Sequence, residues 1–242
     1  MKKNIFKNQF WCIVTARKNS KSIKRKNLIK VKNKELIKFS FDEIKKVKNI
    51  INKTVVSTDD QKIKQITKNY KFEALHREKK ISGDLVSSVD VVIDALKKSL
   101  KKYGHLPKFF FLIQPTSILL KSEHIVKLIN ILKKGKFKSA QTIIKVPHQF
   151  HAYNQRYLKK NTTGFIFEKQ RKVMHNKQTK PVFYAYGNLI ACETKSFLNQ
   201  KNFFVKPSFG LPISNIYGFD LDNKLDLKII NQIMKIKVQK YE

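Results

Sequence analysis

Short apolar runs along the chain alternate with segments whose apolar residues recur at spacings of three and four. Phe10 to Thr15 predicts a buried strand, and Thr54 to Ser57 and Phe109 to Ile113 read the same way. Between them, Leu36, Ile37, Phe41, Ile44, Val47 and Ile51 form one face of an amphipathic helix. Ile63, Ile66 and Tyr70 mark a shorter helix, followed by a strand over Phe72 to Leu75. Val89, Val92, Ile93, Leu96, Leu100 and Tyr103 make the clearest helical stripe. Ile125, Leu128, Ile129 and Leu132 make the next, with Gly135 where a helix C-cap belongs and a strand over Ala140 to Val146 beyond it. This alternation predicts βαβ units, and hence an α/β fold of three layers, α/β/α, with a mostly parallel sheet covered on both faces.

The rhythm fails from Pro147 to about Lys180, where Gln- and Asn-rich sequence surrounds one predicted strand, Gly164 to Glu168. The stretch at about 147–185 reads as an arm inserted into a single domain spanning 1–242. Strand character returns at Leu189 to Cys192 and at Ile216 to Phe219, and Lys224 to Ile236 closes the chain as a helix carrying Leu225, Ile229, Ile230 and Ile233. Open sheets of this kind bind ligands at the carboxyl ends of their strands. The residues to inspect are therefore Thr15 to Asn27, Ser57 to Asp60, Gln114 to Ser117 and Asp220 to Asp222.

Composition sharpens the picture. With 52 Lys and Arg against 17 Asp and Glu, the 242-residue chain carries a net charge of +35, which favours polyanionic ligands. Only five of the cations are arginine (Arg17, Arg25, Arg77, Arg156 and Arg171), and the lysines are dispersed from end to end. Proteins that read bases concentrate arginine for bidentate contacts, so the pattern fits lysine-covered solvated faces better than a nucleic-acid interface. A hydrophobic content of 41% supplies a real core. The two cysteines, Cys12 and Cys192, make no disulfide framework, and no apolar run approaches the roughly 20 residues of a membrane span. The expectation is a cytoplasmic protein without a membrane partner.

Candidate chemistry begins in the first loop, where Arg17, Lys21, Arg25 and Lys26 can converge on phosphates with backbone N–H groups as further donors. On its own this is only a basic loop in a very basic protein. Its residues Ala16, Arg17, Ser20, Lys21, Lys26 and Asn27, however, stand at the spacing of the opening signature of the acylneuraminate cytidylyltransferase (CMP-sialic acid synthetase) family, which the chain resembles. Further stretches are similar in the same order. These are Val55 to Asp60, His76-Arg77 through Asp84 to Val92, Leu112 to Ser117, Val146 to His148 and Phe219 to Leu227.

The resemblance implies a nucleotide-diphospho-sugar transferase type of fold, a reaction between CTP and a nine-carbon α-keto acid sugar, and a homodimer paired through the arm. It implies catalytic roles for Arg17, Lys21 and Lys26 on the triphosphate, and nucleotide contacts from Arg17, Ser20, Asn27, Arg77, Ser87 and Ser88. Gln114, Thr116, Ser117 and Lys177 fall to the sugar; Lys177 is the nearest equivalent of the family's sugar-contacting arginine in the arm. Asp220 and Asp222, two apart on an extended segment, can share a hard cation such as Mg²⁺. The chain departs from the pattern at the loop glycines, replaced by Lys18, Asn19 and Ser22, which removes conformations only glycine adopts cheaply.

Plainer readings stand beside these. Asp59-Asp60 and Ser87-Ser88 suit helix N-caps, and Asp222-Asn223-Lys224 suits a turn. His148 and His151 lack a third ligand for a metal. Two other functions remain open on sequence: a cytidylyltransferase acting on an eight-carbon keto acid, and a basic nucleic-acid-binding protein without catalysis.

Overall fold

The computed structural model describes residues 5–235. The chain enters on β1 (Phe6–Thr15), crosses a basic loop and a small hairpin, β2 (Lys30–Val31) and β3 (Lys34–Glu35), and continues into α1 (Leu36–Lys46). β4 (Lys53–Thr58), α2 (Gln61–Asn69), β5 (Glu73–His76), α3 (Ser88–Tyr103), β6 (Leu106–Ile113), α4 (Ser122–Lys133) and β7 (Ser139–Lys145) then alternate as the periodicity predicts. The arm follows: two 3-10 turns, the hairpin β8 (Arg156–Lys159) and β9 (Thr162–Phe165), and α5 (Glu168–Val173). The chain returns to the sheet on β10 (Tyr184–Glu193), passes α6 (Thr194–Gln200) and β11 (Ser208–Pro212), and ends the described region with α7 (Lys224–Ile233).

Seven strands form the main sheet in the order β11-β7-β10-β6-β1-β4-β5. All neighbours are parallel except β10, which runs antiparallel to both β6 and β7. Because side chains alternate along a strand, β1 sends Phe10, Cys12 and Val14 to one face, where α1, α2 and α4 cover them with Ile37, Phe41, Ile44, Ile63, Ile66, Ile125 and Leu128. Ile13 faces the other way, with Phe110 and Leu112, onto Val92, Leu96 and Phe197 of α3 and α6. A third cluster joins Val31, Leu36, Ile118, Leu119, Leu221 and Ile230, tying α7 to the loops at the carboxyl edge of the sheet.

Several boundaries differ from the sequence reading. Helix α1 stops at Lys46, and Val47 to Ile51 continue its apolar face in hydrogen-bonded turns, so that Val47 and Ile51 remain buried. The expected strand at Ile216 to Phe219 is a 3-10 turn, Asn215–Gly218, because its apolar residues pack onto the α7 cluster and not into a ladder. The expected strand Gly164 to Glu168 is shifted: β9 ends at Phe165 and Glu168 opens α5. Ile236, the expected end of α7, lies outside the described residues. Next to the antiparallel strand, Gly187 stands where an added Cβ would lie 2.7 Å from Thr142 Oγ1. That close approach lets the Thr142 hydroxyl accept the N–H groups of Asn188 and Leu189 at 2.9 and 3.0 Å across a break in the β10–β7 register.

Candidate active site

The carboxyl ends of β1, β4 and β6 lie side by side, with Thr15 paired to Ser57 and Val14 to Ile113. Past them the chain opens a cleft of about 260 Å³. Arg17, Ser20, Lys26 and Asn27 line it from the first loop, Arg77 and Ser88 from the segment before α3 and its first turn, Gln114 and Thr116 from the end of β6, and Asp220 and Asp222 from the segment before α7. Residues from four separate stretches of sequence are thus brought together.

The first loop is fastened at several points. The Ala16 N–H donates to the Ser57 carbonyl at 3.0 Å, and the Lys18 N–H to Asp59 Oδ1 at 2.6 Å. Asn27 is buried and donates its Nδ2 to the Arg17 carbonyl at 2.9 Å, so it braces the strand end that carries Arg17. The side-chain cations meet carboxylates: Arg17 Nη1 lies 2.6 Å and Lys21 Nζ 3.6 Å from Asp84, and Lys26 Nζ lies 3.0 Å from Asp222. Arg17 and Lys26, which line the cleft, are thus each paired with a carboxylate. Asp84, Gly83 and Val86 also line the cleft, although the sequence reading gave none of them a role. The available signal for Asp84 was its place in the family-like stretch from His76 to Val92.

Arg77 is 5% exposed, and its Nε donates to the Ile81 carbonyl at 2.7 Å. Burial pushes its pKa down, with Asp59 opposing and Arg17 adding to the fall; an arginine stays cationic regardless. Asp220 keeps an open side toward the cleft, but the protein packed around it raises its carboxyl above the usual range, and the Asp222 charge adds to this against the Thr116 hydroxyl and Lys26. Among the described residues no group of three or more His, Cys, Asp or Glu is arranged to hold a metal. A cation there would take two carboxylates from the protein and the rest of its oxygens from substrate and water. That donor set fits Mg²⁺, which keeps waters and binds through one or two carboxylates plus phosphates.

Other sequence candidates fall outside the cleft. Ser87 caps α3, accepting the Asp90 N–H at 3.1 Å and donating its hydroxyl to Asp90 Oδ2 at 2.7 Å, so this hydroxyl is committed to the helix. Ser117 is buried and is not among the lining residues, and its N–H donates to the Gln114 carbonyl. Lys21 meets the site through Asp84. Arg25 turns away to Asp60, which caps α2 through the N–H groups of Lys62 and Ile63. Lys177 lines a second concavity of about 330 Å³ beside the arm, with Lys145, His148, His151 and Lys180. His151 has both ring nitrogens occupied, Nδ1 accepting the Tyr153 N–H and Nε2 facing the Pro181 carbonyl, and it stacks on Phe183 at 4.4 Å; it is a packed arm histidine.

The chain is similar to several known proteins. The chain is 25% identical over 228 residues to N-acylneuraminate cytidylyltransferase of Escherichia coli O18:K1:H7 (strain RS218 / NMEC), covering 93% of this chain and 52% of that protein. It therefore spans about half the length of that relative. It is also 25% identical over 232 residues to post-translational flagellin modification protein B of Campylobacter coli, covering 95% and 97%. The fold matches a CMP:2-keto-3-deoxy-manno-octonic acid synthetase solved with CTP, at a TM-score of 0.69 and 11% identity over 94% of this chain and 98% of that one. It also matches 4-diphosphocytidyl-2C-methyl-D-erythritol synthase of Anaerococcus prevotii DSM 20548, at 0.61 and 14% over 94% and 98%. No helix among the described residues is long and apolar enough to cross a membrane. The cytidylyltransferase family profile matches residues 11–233, nearly the whole length, and the chain belongs to the cytidylyltransferase family.

Proposed function

We propose that the chain transfers the cytidylyl group of CTP to the anomeric hydroxyl of a nine-carbon α-keto acid sugar, giving the CMP-sugar and pyrophosphate. The observation that carries this is the convergence of Arg17, Lys26, Arg77, Asp220 and Asp222 on one cleft at the carboxyl ends of the parallel strands. The nine-carbon class is favoured because the E. coli relative named for an acylneuraminate matches along 93% of this chain.

In this reading Arg17 and Lys26 exchange Asp84 and Asp222 for triphosphate oxygens and hold the α-phosphorus in line with the attacking sugar oxygen. A new P–O bond forms to the sugar as the bond to the pyrophosphate breaks, and the hydroxyl proton leaves to solvent. Lys21 steadies the departing pyrophosphate, so electrostatic positioning supplies most of the rate. Ser20 and Asn27 hold the phosphate and ribose end, while Arg77 and Ser88 meet the pyrimidine edge. Gln114 and Thr116 orient the sugar, with Ser117 adjoining Thr116 and Lys177 brought in by the arm. Asp220 and Asp222 would hold Mg²⁺, which supplies Lewis-acid neutralisation of phosphate oxygens when bound. The arm exposes Phe150, Tyr157, Leu158, Val173 and Val182, and a second copy of the chain would cover this apolar face, making the enzyme a homodimer.

The test is pyrophosphate release from CTP and Mg²⁺ with a panel of nine- and eight-carbon keto acid sugars, products being weighed by mass spectrometry. A CMP-sugar from a nine-carbon acid is expected; turnover confined to the eight-carbon acids would reassign the substrate. Asp222→Ala should abolish turnover with the fold intact. Arg17→Ala should raise the KM for CTP and lower kcat together, reducing kcat/KM by about 10²-fold. Full activity in Asp222→Ala would remove the metal assignment.

A further inference from the structure

The first loop has no glycine between Ala16 and Asn27, yet its last turn requires a left-handed residue. Arg25 takes that position, with φ 54° and ψ 40°. A residue bearing a Cβ occupies this region at a cost and stays there only when its surroundings hold it. From this conformation the Arg25 carbonyl accepts the Leu28 N–H at 2.8 Å, closing the 3-10 turn Lys26–Leu28 whose first two residues line the cleft.

What holds Arg25 is Asp60. Arg25 Nη2 donates to both carboxylate oxygens, at 3.1 Å to Oδ1 and 2.8 Å to Oδ2. Asp60 is 1% exposed and fixed on every side: Oδ1 accepts the N–H groups of Lys62 and Ile63 at 2.8 and 3.3 Å, and its own N–H donates to Thr58 Oγ1 at 3.1 Å. Burial would raise this carboxyl, but Arg25 and the two helix amides outweigh it and hold it below the ordinary range. A buried carboxylate at a helix N-terminus with one cationic partner makes a firm anchor.

We infer that Arg25 is a positioning residue, its ion pair with Asp60 tying the end of the first loop to the β4–α2 corner and so fixing where Lys26 and Asn27 stand in the cleft. This rests on the reading of the cleft as a CTP site. The path from anchor to site is short. Lys26 is the next residue, its Nζ 3.0 Å from Asp222, and Asn27 follows with its amide on the Arg17 carbonyl. Release of Arg25 therefore loosens one cationic clamp directly and the support of the other through Asn27. In a glycine-free loop the pair does the conformational work that backbone freedom does elsewhere.

Two readouts on the full chain test this. Hydrogen–deuterium exchange without ligand reads the anchor: Arg25→Ala and Asp60→Asn should each speed exchange across residues 16–28 while the protection of β1 and β6 is unchanged. CTP titration reads the consequence: each variant should bind CTP roughly 10-fold more weakly than wild type, with a melting temperature within a few degrees of it. Asp60→Asn keeps a helix-capping oxygen, so it remains informative should Arg25→Ala fold poorly. The double variant should lose no more than either single one, because both break the same link. Arg25→Lys should recover part of the loss. Unchanged loop exchange, additive losses in the double variant, or weakening that merely tracks a lowered melting temperature would overturn the inference. Absence of CTP binding by wild type would defeat the CTP reading of the cleft, while loop exchange would still decide whether Arg25 and Asp60 form the anchor.

Discussion

His124 sits in the first turn of α4, 6% exposed and edge-on to Tyr217 at 5.1 Å, with Nδ1 lacking a hydrogen-bond partner. Burial pushes its pKa down from 6.5 to about 4, and Lys127 adds to the fall. The folded chain thus refuses a proton that the unfolded chain accepts. Stability tied to this group is complete above pH 6.5 and is lost as pH falls toward 4, up to about 3 kcal/mol at 1.36 kcal/mol per unit. His124→Phe keeps the ring against Tyr217 and removes the titration, so its melting temperature should fall less than that of wild type between pH 7 and pH 4.5. Equal falls in the two proteins would exclude His124 from the acid response. The same kind of reasoning separates the cations of the first loop. Spacing alone leaves Arg17, Lys21, Arg25 and Lys26 equivalent, because a loop carries no direction, and only the family resemblance set Arg25 apart from the other three. The fold sends Arg17 and Lys26 into the cleft, and Arg25 to a buried acid 35 positions away. Asp84 stood in the family-like stretch without a role for the converse reason, since an acid in a loop shows its partners, here Arg17 and Lys21, only when the loop is folded.

At the scale of elements, the stripes on α1, α3 and α4 were legible because each helix packs one face on the sheet, and a spacing of 3.6 is the trace of that packing. The 3-10 turn at Asn215–Gly218 was not, because a run as short as Ile216 to Phe219 fits a strand and a turn equally well. Nor was α6, seven residues long with only Thr194 and Phe197 buried, nor β11, an edge strand that ends on Pro212. The loop after Phe219 illustrates how a local cap serves the site. Asn223 accepts the N–H groups of Leu225 and Asp226, while Asp226 accepts the N–H groups of Asn223 and Asp222. The reciprocal cap fixes the start of α7 and the backbone of Asp222 together. Asn223→Ala should cost about 1 kcal/mol, a fall in melting temperature of roughly 2–4 °C. Asp226→Ala should match that loss and also weaken turnover, because it frees Asp222 as well. A cap loss with undiminished turnover in Asp226→Ala would show that Asp222 does not depend on this support.

At the scale of the whole molecule the +35 charge becomes a term in assembly. Two such chains repel, and the repulsion reaches as far as the Debye length, about 30 Å at 10 mM salt and about 8 Å at 150 mM. The apolar face of the arm, with Phe150, Leu158 and Val173 exposed, gains from contact by removal from water, which salt of this strength scarcely alters. The proposed dimer should therefore tighten as salt rises, by at least about 10-fold in dissociation constant between those two conditions if screening removes some 1.4 kcal/mol of repulsion. Sedimentation velocity across a salt series reads this directly, and Leu158→Asp should leave the chain monomeric throughout. The sign is what decides. Association to a polyanion would weaken with salt, through release of counterions, and so would a dimer held by ion pairs. A complex that loosens as salt rises would place the contact on the charged surface, and the arm's apolar side chains would then need another partner.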